Sequence, residues 1–155
     1  MEQKTKIDAE DGKQDLFITR EFELPLESLF KAFEEAKLVE KWMGTKVLKL
    51  ESKKHGSYEF ETKDDKGNVV FKASGVIHEF ARNRKITRTF EMNNTPFGVQ
   101  LEIYEFKQLN DNTSKLDIHT IYESVVQRNQ VLKLPFAQGL NMAHNRLQEI
   151  VSKLV

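Results

Sequence analysis

The sequence predicts an α+β fold. A curved antiparallel sheet of about six or seven strands should wrap around one long C-terminal helix, with two short helices after the first strand. Three observations predict it. Apolar residues recur at helical spacing across residues 26–43. Between residues 47 and 122 the period drops to two, with short polar connections between the runs. Helical spacing then returns: Phe136, Leu140, Ala143, Leu147, Ile150 and Leu154 fall at steps of 4, 3, 4, 3 and 4.

The elements follow in chain order. Residues 4–9 suit a short extra strand, Asp11-Gly12 a turn, and Leu16–Leu24 a strand with Leu16, Ile18, Arg20 and Phe22 on one face and Phe17 on the other. Pro25 suits the first position of a helix, where its missing N–H costs nothing. Leu26, Leu29, Phe30 and Phe33 form the stripe of that helix; Leu38, Val39, Trp42 and Met43 form the stripe of the next, which Gly44 ends. Strands are expected over Val47–Leu50, Tyr58–Thr62, Val69–Phe80, Ile86–Met92, Val99–Phe106 and Leu116–Tyr122. Asp64-Asp65-Lys66-Gly67-Asn68 makes one turn, and Gly75 marks a bend or bulge inside its strand. Ala81–Lys85, Asn93–Gly98 and Leu109–Thr113 connect the others into a meander. Pro135 opens the long helix.

Length and charge narrow the function classes. The 155 residues favour one domain, 1–155, with a polar N-terminal segment over 1–13. A chain of this size buries roughly 68–70% of its unfolded surface, enough for a full core. Lys plus Arg and Asp plus Glu are balanced at 24 each, with no basic stripe, which argues against a nucleic-acid partner. The absence of cysteine excludes disulfides, thiol catalysis and thiolate metal sites. No apolar run is long enough for a membrane span, and the N-terminus carries no signal-peptide pattern, so a cytoplasmic location is expected.

An ordered set of residues resembles the activator of heat-shock-protein-90-ATPase-like branch of the START (SRPBCC) superfamily, whose fold is the helix grip. The set begins with Ile18-Thr19-Arg20-Glu21-Phe22, Pro25, Phe30-Lys31-Ala32-Phe33 and Trp42-Met43-Gly44. It continues through Gly56-Ser57-Tyr58, Gly75-Val76-Ile77-His78-Glu79 and Thr89-Phe90-Glu91. It ends with Thr113-Ser114-Lys115-Leu116, Arg128, Gly139, Asn141 and Arg146-Leu147. The chain departs from the family pattern at Thr45, where a proline often stands, and in the Ala81-Arg82-Asn83-Arg84 loop. The resemblance implies a cavity between sheet and C-terminal helix. Superfamily members hold lipids, sterols, polyketides or plant hormones there, and a minority are enzymes. It also implies a chaperone partner as an alternative role, and either a monomer or a homodimer.

Nothing in the sequence nominates a catalyst, a cofactor or a metal. His55, His78, His119 and His144 have no helical metal-pair spacing. The carboxylates of Glu34-Glu35, Asp64-Asp65 and Glu102/Glu105 fall in helix ends, turns and charge-alternating strands. Arg88 is the informative polar residue, because it shares a strand face with Ile86 and Phe90. A cation there must reach water, pair with an acid such as Glu79 or Glu102, or meet an anionic ligand group; ion pairs are the commoner solution. Tyr58 and Phe60, Tyr104 and Phe106, and Ile118, Thr120 and Tyr122 share three further faces. Taken singly each suits ordinary core; as a set they suit an apolar pocket with polar points. On the resemblance, Trp42 closes one end of the cavity, chiefly as structure, and Phe136, Leu140, Ala143 and Leu147 form the helix wall. The expected ligand-binding set is therefore Trp42, Tyr58, Phe60, Arg88, Phe90, Tyr104, Thr120, Tyr122, Phe136, Leu140, Ala143 and Leu147. The expected function is non-catalytic binding of a small hydrophobic molecule, lipid-like or aromatic. A protein-interaction module and a cyclase- or hydrolase-type enzyme are the rivals; the enzyme would need Arg88, His78 or His119 facing inward.

Overall fold

The computed structural model describes residues 4–154. Two strands open the chain, β1 (Lys6–Asp8) and β2 (Asp15–Phe22), followed by helices α1 (Leu26–Glu34) and α2 (Ala36–Met43). Six strands form the meander: β3 (Lys46–Leu50), β4 (Ser57–Lys63), β5 (Val69–Ala81), β6 (Lys85–Met92), β7 (Val99–Asn110) and β8 (Thr113–Ile121). Helices α3 (Val125–Leu132) and α4 (Phe136–Ser152) complete the order. All eight strands pair antiparallel in one open sheet, in the order β1-β2-β8-β7-β6-β5-β4-β3. The α+β architecture is the expected one. The sheet has eight strands rather than six or seven because residues 6–8 do pair, with Ile7 opposite Ile18. The two short helices accordingly follow the second strand.

Sequence period explains which face is buried. Along β8, Ser114, Leu116, Ile118 and Thr120 are buried and alternate with half-buried residues, as period two requires. β2 does the same with Leu16, Ile18, Arg20 and Phe22, while Phe17 faces out. Gly44 ends α2 in the left-handed conformation, φ 68°, with its N–H donating to the Glu40 carbonyl. Gly75 is required by contact rather than by φ. A Cβ there would collide with the Thr89 carbonyl oxygen and crowd the Tyr58 hydroxyl.

α3 was not legible in the pattern. Its buried residues are Arg128 and Val131, so no apolar stripe announces it. Ser124 caps it by accepting from the Gln127 N–H at 3.1 Å. Arg128 fastens it to the β1–β2 connection, donating to the Glu10 and Asp15 carbonyls at 2.8 and 2.9 Å.

α4 is held at two places. Leu147 and Val151 sink into the main core. Arg146 Nε donates to the Trp42 carbonyl at 3.0 Å, tying α4 to the end of α2. Its first half, from Phe136 to Ala143, is only partly buried, and the space between it and the sheet is the cavity described next.

Candidate functional site

A cavity of about 530 Å³ lies between the first half of α4 and the strands β4, β6, β7 and β8. That is within the ~300–1,000 Å³ usual for small-molecule sites. α1 and α2 close one end with Phe33, Val39, Trp42 and Met43. The sheet supplies Phe60, Arg88, Phe90, Met92, Gln100, Glu102, Tyr104 and Ile118, and Tyr122 follows β8. α3, its exit turn and α4 supply Val131, Leu134, Pro135, Phe136, Gly139, Leu140, Ala143 and His144. Leu134, Pro135 and Gly139 are exposed and lie on the rim.

Of the expected set, Trp42, Phe60, Arg88, Phe90, Tyr104, Tyr122, Phe136, Leu140 and Ala143 come together on this wall. Tyr58, Thr120 and Leu147 do not. Tyr58 is 1% exposed and its hydroxyl is spent on the Thr89 carbonyl, through the gap that Gly75 leaves. Thr120 is buried between Leu16 and Glu102 in the ladder and does not line the cavity. Leu147 is one helical turn past Ala143, where α4 has already closed on the core.

Trp42 is both structural and lining. It is 5% exposed, stacks at a tilt on Phe33 with ring centres 5.1 Å apart, and donates from Nε1 to the Ala32 carbonyl at 2.7 Å. Its remaining edge forms the cavity end.

The wall carries one polar cluster, built by the β6–β7 register, which sets Arg88 opposite Glu102. Arg88 Nε donates to Glu102 Oε1 at 2.9 Å and Nη2 donates to the Tyr104 hydroxyl at 2.8 Å. The Tyr104 hydroxyl donates to the same Oε1 at 3.0 Å, and Gln100 Nε2 donates to Oε2 at 2.8 Å. The guanidinium lies over the rings of Tyr58 and Tyr104, 4.7 and 4.8 Å from their centres. Burial pushes the Tyr104 phenol well above its usual range, so it remains a neutral relay between cation and carboxylate. Of the sequence-level alternatives for Arg88, pairing with Glu102 is the one found, and the pair itself faces the cavity.

His144 is the lining residue that sequence reasoning passed over. It is 1% exposed, and its Nδ1 lies 2.7 Å from the Thr5 hydroxyl. Burial, reinforced by the Arg20 charge, depresses its pKa to about 3, so it is neutral at ordinary pH. The other histidines named as catalytic candidates do not face the cavity. His78 is exposed, and His119 pairs with Asp15 at 2.7 Å and stacks on exposed Phe17. Among the described residues, no group of three or more His, Asp or Glu is placed to hold a metal ion.

The family model described as Activator of Hsp90 ATPase homolog 1-like protein matches residues 23–152. The chain belongs to that family. Among solved structures, a Mycobacterium smegmatis protein aligns over 95% of this chain and 96% of its own, at 18% identity and TM-score 0.84. A Rhodobacter sphaeroides protein aligns over 97% and 100%, at 17% identity and TM-score 0.83. An Arthrobacter aurescens protein aligns over 96% and 91%, at 13% identity and TM-score 0.85. At these identities the likeness is one of fold, the helix grip. No curated protein matches the chain in sequence. No helix among the described residues is long and apolar enough to cross a membrane. Family and fold together support a ligand-binding or chaperone-associated module.

Proposed function

We propose that this protein binds a small, mainly apolar molecule between its sheet and α4, without transforming it. The observation that carries the proposal is the cavity itself. It is preformed, about 530 Å³ in volume, walled by Phe33, Trp42, Phe60, Phe90, Tyr104 and Phe136, and open past the start of α4. The ionisable side chains on the wall argue against catalysis. Arg88 and Glu102 are engaged with each other, and His144 is held too far below neutrality to act as a base. A cytoplasmic location belongs to the same proposal, as does a monomeric or homodimeric state.

The test is native mass spectrometry of the protein purified from its own host, with a denatured control. The expected result is a small lipophilic adduct that is lost on denaturation. Leu140→Trp, which fills the space beside half-buried Leu140, should remove the adduct while leaving the protein folded. Bare protein, with no thermal stabilisation across a panel of lipids, sterols and flavonoids, would overturn the proposal. The second reading, a chaperone-associated interaction module, rests on the family description. It would then lead, and a pull-down from host lysate would address it.

A further inference from the structure

Three polar atoms of the cavity wall have no protein partner, and they come from β6, from the residue after β8 and from α4. Arg88 uses Nε and Nη2 on Glu102 and Tyr104, leaving Nη1 without a hydrogen bond. The hydroxyl of Tyr122, a residue 2% exposed, makes none; only its backbone groups are bonded, to Gln14. His144 spends Nδ1 on Thr5 and leaves Nε2 free. Every fully buried side-chain nitrogen or oxygen among the described residues has a partner. These three atoms have none, so they are not sealed, and the cavity is the space their side chains line.

The proton on His144 can be placed. The Thr5 hydroxyl oxygen accepts from Arg20 Nη1 at 3.3 Å and lies 2.7 Å from His144 Nδ1. Nδ1 is the acceptor within reach of the Thr5 hydroxyl proton, since the nearby Asn141 Oδ1 is taken by the Thr5 N–H and by Arg20. Thr5 therefore donates to Nδ1, and the neutral ring carries its own proton on Nε2, as a donor toward the cavity. Arg88 Nη1 is a second donor, and the Tyr122 hydroxyl can donate or accept. The charges facing the ligand cancel, because the guanidinium is already matched by Glu102 at 2.9 Å.

We infer that the cavity selects an uncharged, mainly apolar compound bearing carbonyl-type oxygen, which accepts a hydrogen bond from one or more of the unspent donors of Arg88, Tyr122 and His144. This inference rests on the ligand-binding reading above and adds the ligand's chemical class. A hydrocarbon filling the cavity would cut those donors off from water without replacing the hydrogen bonds, which is costly. A carboxylate would be desolvated against a cation that Glu102 already neutralises, with the Glu102 charge nearby to repel it.

Four probes of one skeleton separate these effects: fluorene, fluorenone, fluorenone-4-carboxylate, and the methyl ester of that acid. Their affinities for the full chain are measured by isothermal titration, with Leu140→Trp as the control that locates binding in the cavity. The expected order places fluorenone about tenfold or more above fluorene, for at least one recovered hydrogen bond. The ester, bulkier but neutral, should exceed its own acid by about tenfold or more. Fluorene equal to fluorenone, or an acid equal to or tighter than its ester, overturns the inference while the cavity reading stands. No binding by any of the four to folded protein overturns the inference, while the cavity reading falls only with bare protein and no stabilisation across the wider panel of lipids, sterols and flavonoids.

Discussion

Removing Glu102 alone should be far more damaging than removing it together with Arg88. The side chains of this pair are only 14% and 10% exposed, and Glu102 also accepts from Tyr104 and Gln100. Glu102→Leu strands the guanidinium with Tyr104 as its one remaining hydrogen-bond partner. Breaking a buried pair from one side costs about 3–5 kcal/mol, and slight access from the cavity places this case near ~3. Arg88→Met strands the carboxylate and should cost a similar ~3 kcal/mol. Replacing both leaves no buried charge. What then remains is the Tyr104 hydroxyl without its partners, worth about 1 kcal/mol, since two apolar side chains otherwise fill the space. The double variant should therefore lose about 1–2 kcal/mol rather than the ~6 that additivity gives, a coupling of roughly 4 kcal/mol. At about 2–4 °C per kcal/mol for a chain of this size, each single variant should melt roughly 6–12 °C early and the double only about 2–8 °C early. Urea denaturation of the four proteins at pH 7 and fixed salt completes the cycle. Additive losses would refute the reasoning: the two groups would then be independently solvated, and the cavity wall would not hold a neutralised pair.

Two further outcomes follow from particular contacts. Gly75→Ala places a methyl group against the Thr89 carbonyl and the Tyr58 hydroxyl, both backed by the core. It should cost about 1–3 kcal/mol by overpacking, read as a lower urea midpoint, and an unchanged midpoint would show that β5 can yield there. His144 should make stability pH-dependent. Its pKa is about 3 in the fold against an ordinary 6.5, so below pH 6.5 the unfolded chain takes up a proton that the native state refuses. Its contribution is complete above pH 6.5 and falls by about 1.36 kcal/mol per unit as pH drops toward 3. Between pH 6.5 and 4.5, above the acid range where carboxylates such as Asp15 and Glu79 titrate, His144→Gln should show a flatter pH profile than the parent. Parallel profiles would contradict the assignment of a buried neutral imidazole.

The fold was legible because its driving pattern is local. Phe30 and Phe33 on α1, the alternation along β8 and the stripe from Phe136 to Leu147 each declare a period over a short window. α3 escaped because it is fixed by Arg128 reaching two backbone carbonyls more than a hundred residues away, which no window can register. The same division runs through the cavity. Its apolar wall could be read from faces: Phe60, Phe90, Phe136 and Leu140 are where period two and period 3.6 put them. Which tyrosine reaches the cavity could not be read so. Tyr58 and Tyr122 are both buried, yet one hydroxyl is consumed by Thr89 and the other is not, and the difference is made by Gly75 on a neighbouring strand.

His144 shows most clearly where sequence reasoning stops. On a helical wheel it sits one place from Ala143 and adjoins the apolar stripe, where a lone histidine is usually no more than packing. Three other groups give it a role: Arg20 from β2, Thr5 from just before β1, and Asn141 one turn earlier on α4. Arg20 and Thr5 are distant in sequence, and each is polar for reasons the local pattern leaves unexplained. Arg20 in particular stands on the buried face of β2 beside Ile18 and Phe22, at 2% exposure. A buried cation on an apolar strand face must be answered by something. Here part of the answer is the Thr5–Asn141 pair, and through Thr5 it orients the histidine that borders the cavity. Two of the cavity's three unspent groups thus trace to the polar anomalies of the inward faces, one to Arg88 itself and one to Arg20 by way of Thr5 and His144. An arginine in an otherwise apolar, period-two run is therefore the sequence feature that points toward the polar chemistry of this site, even when its partners lie beyond any local pattern.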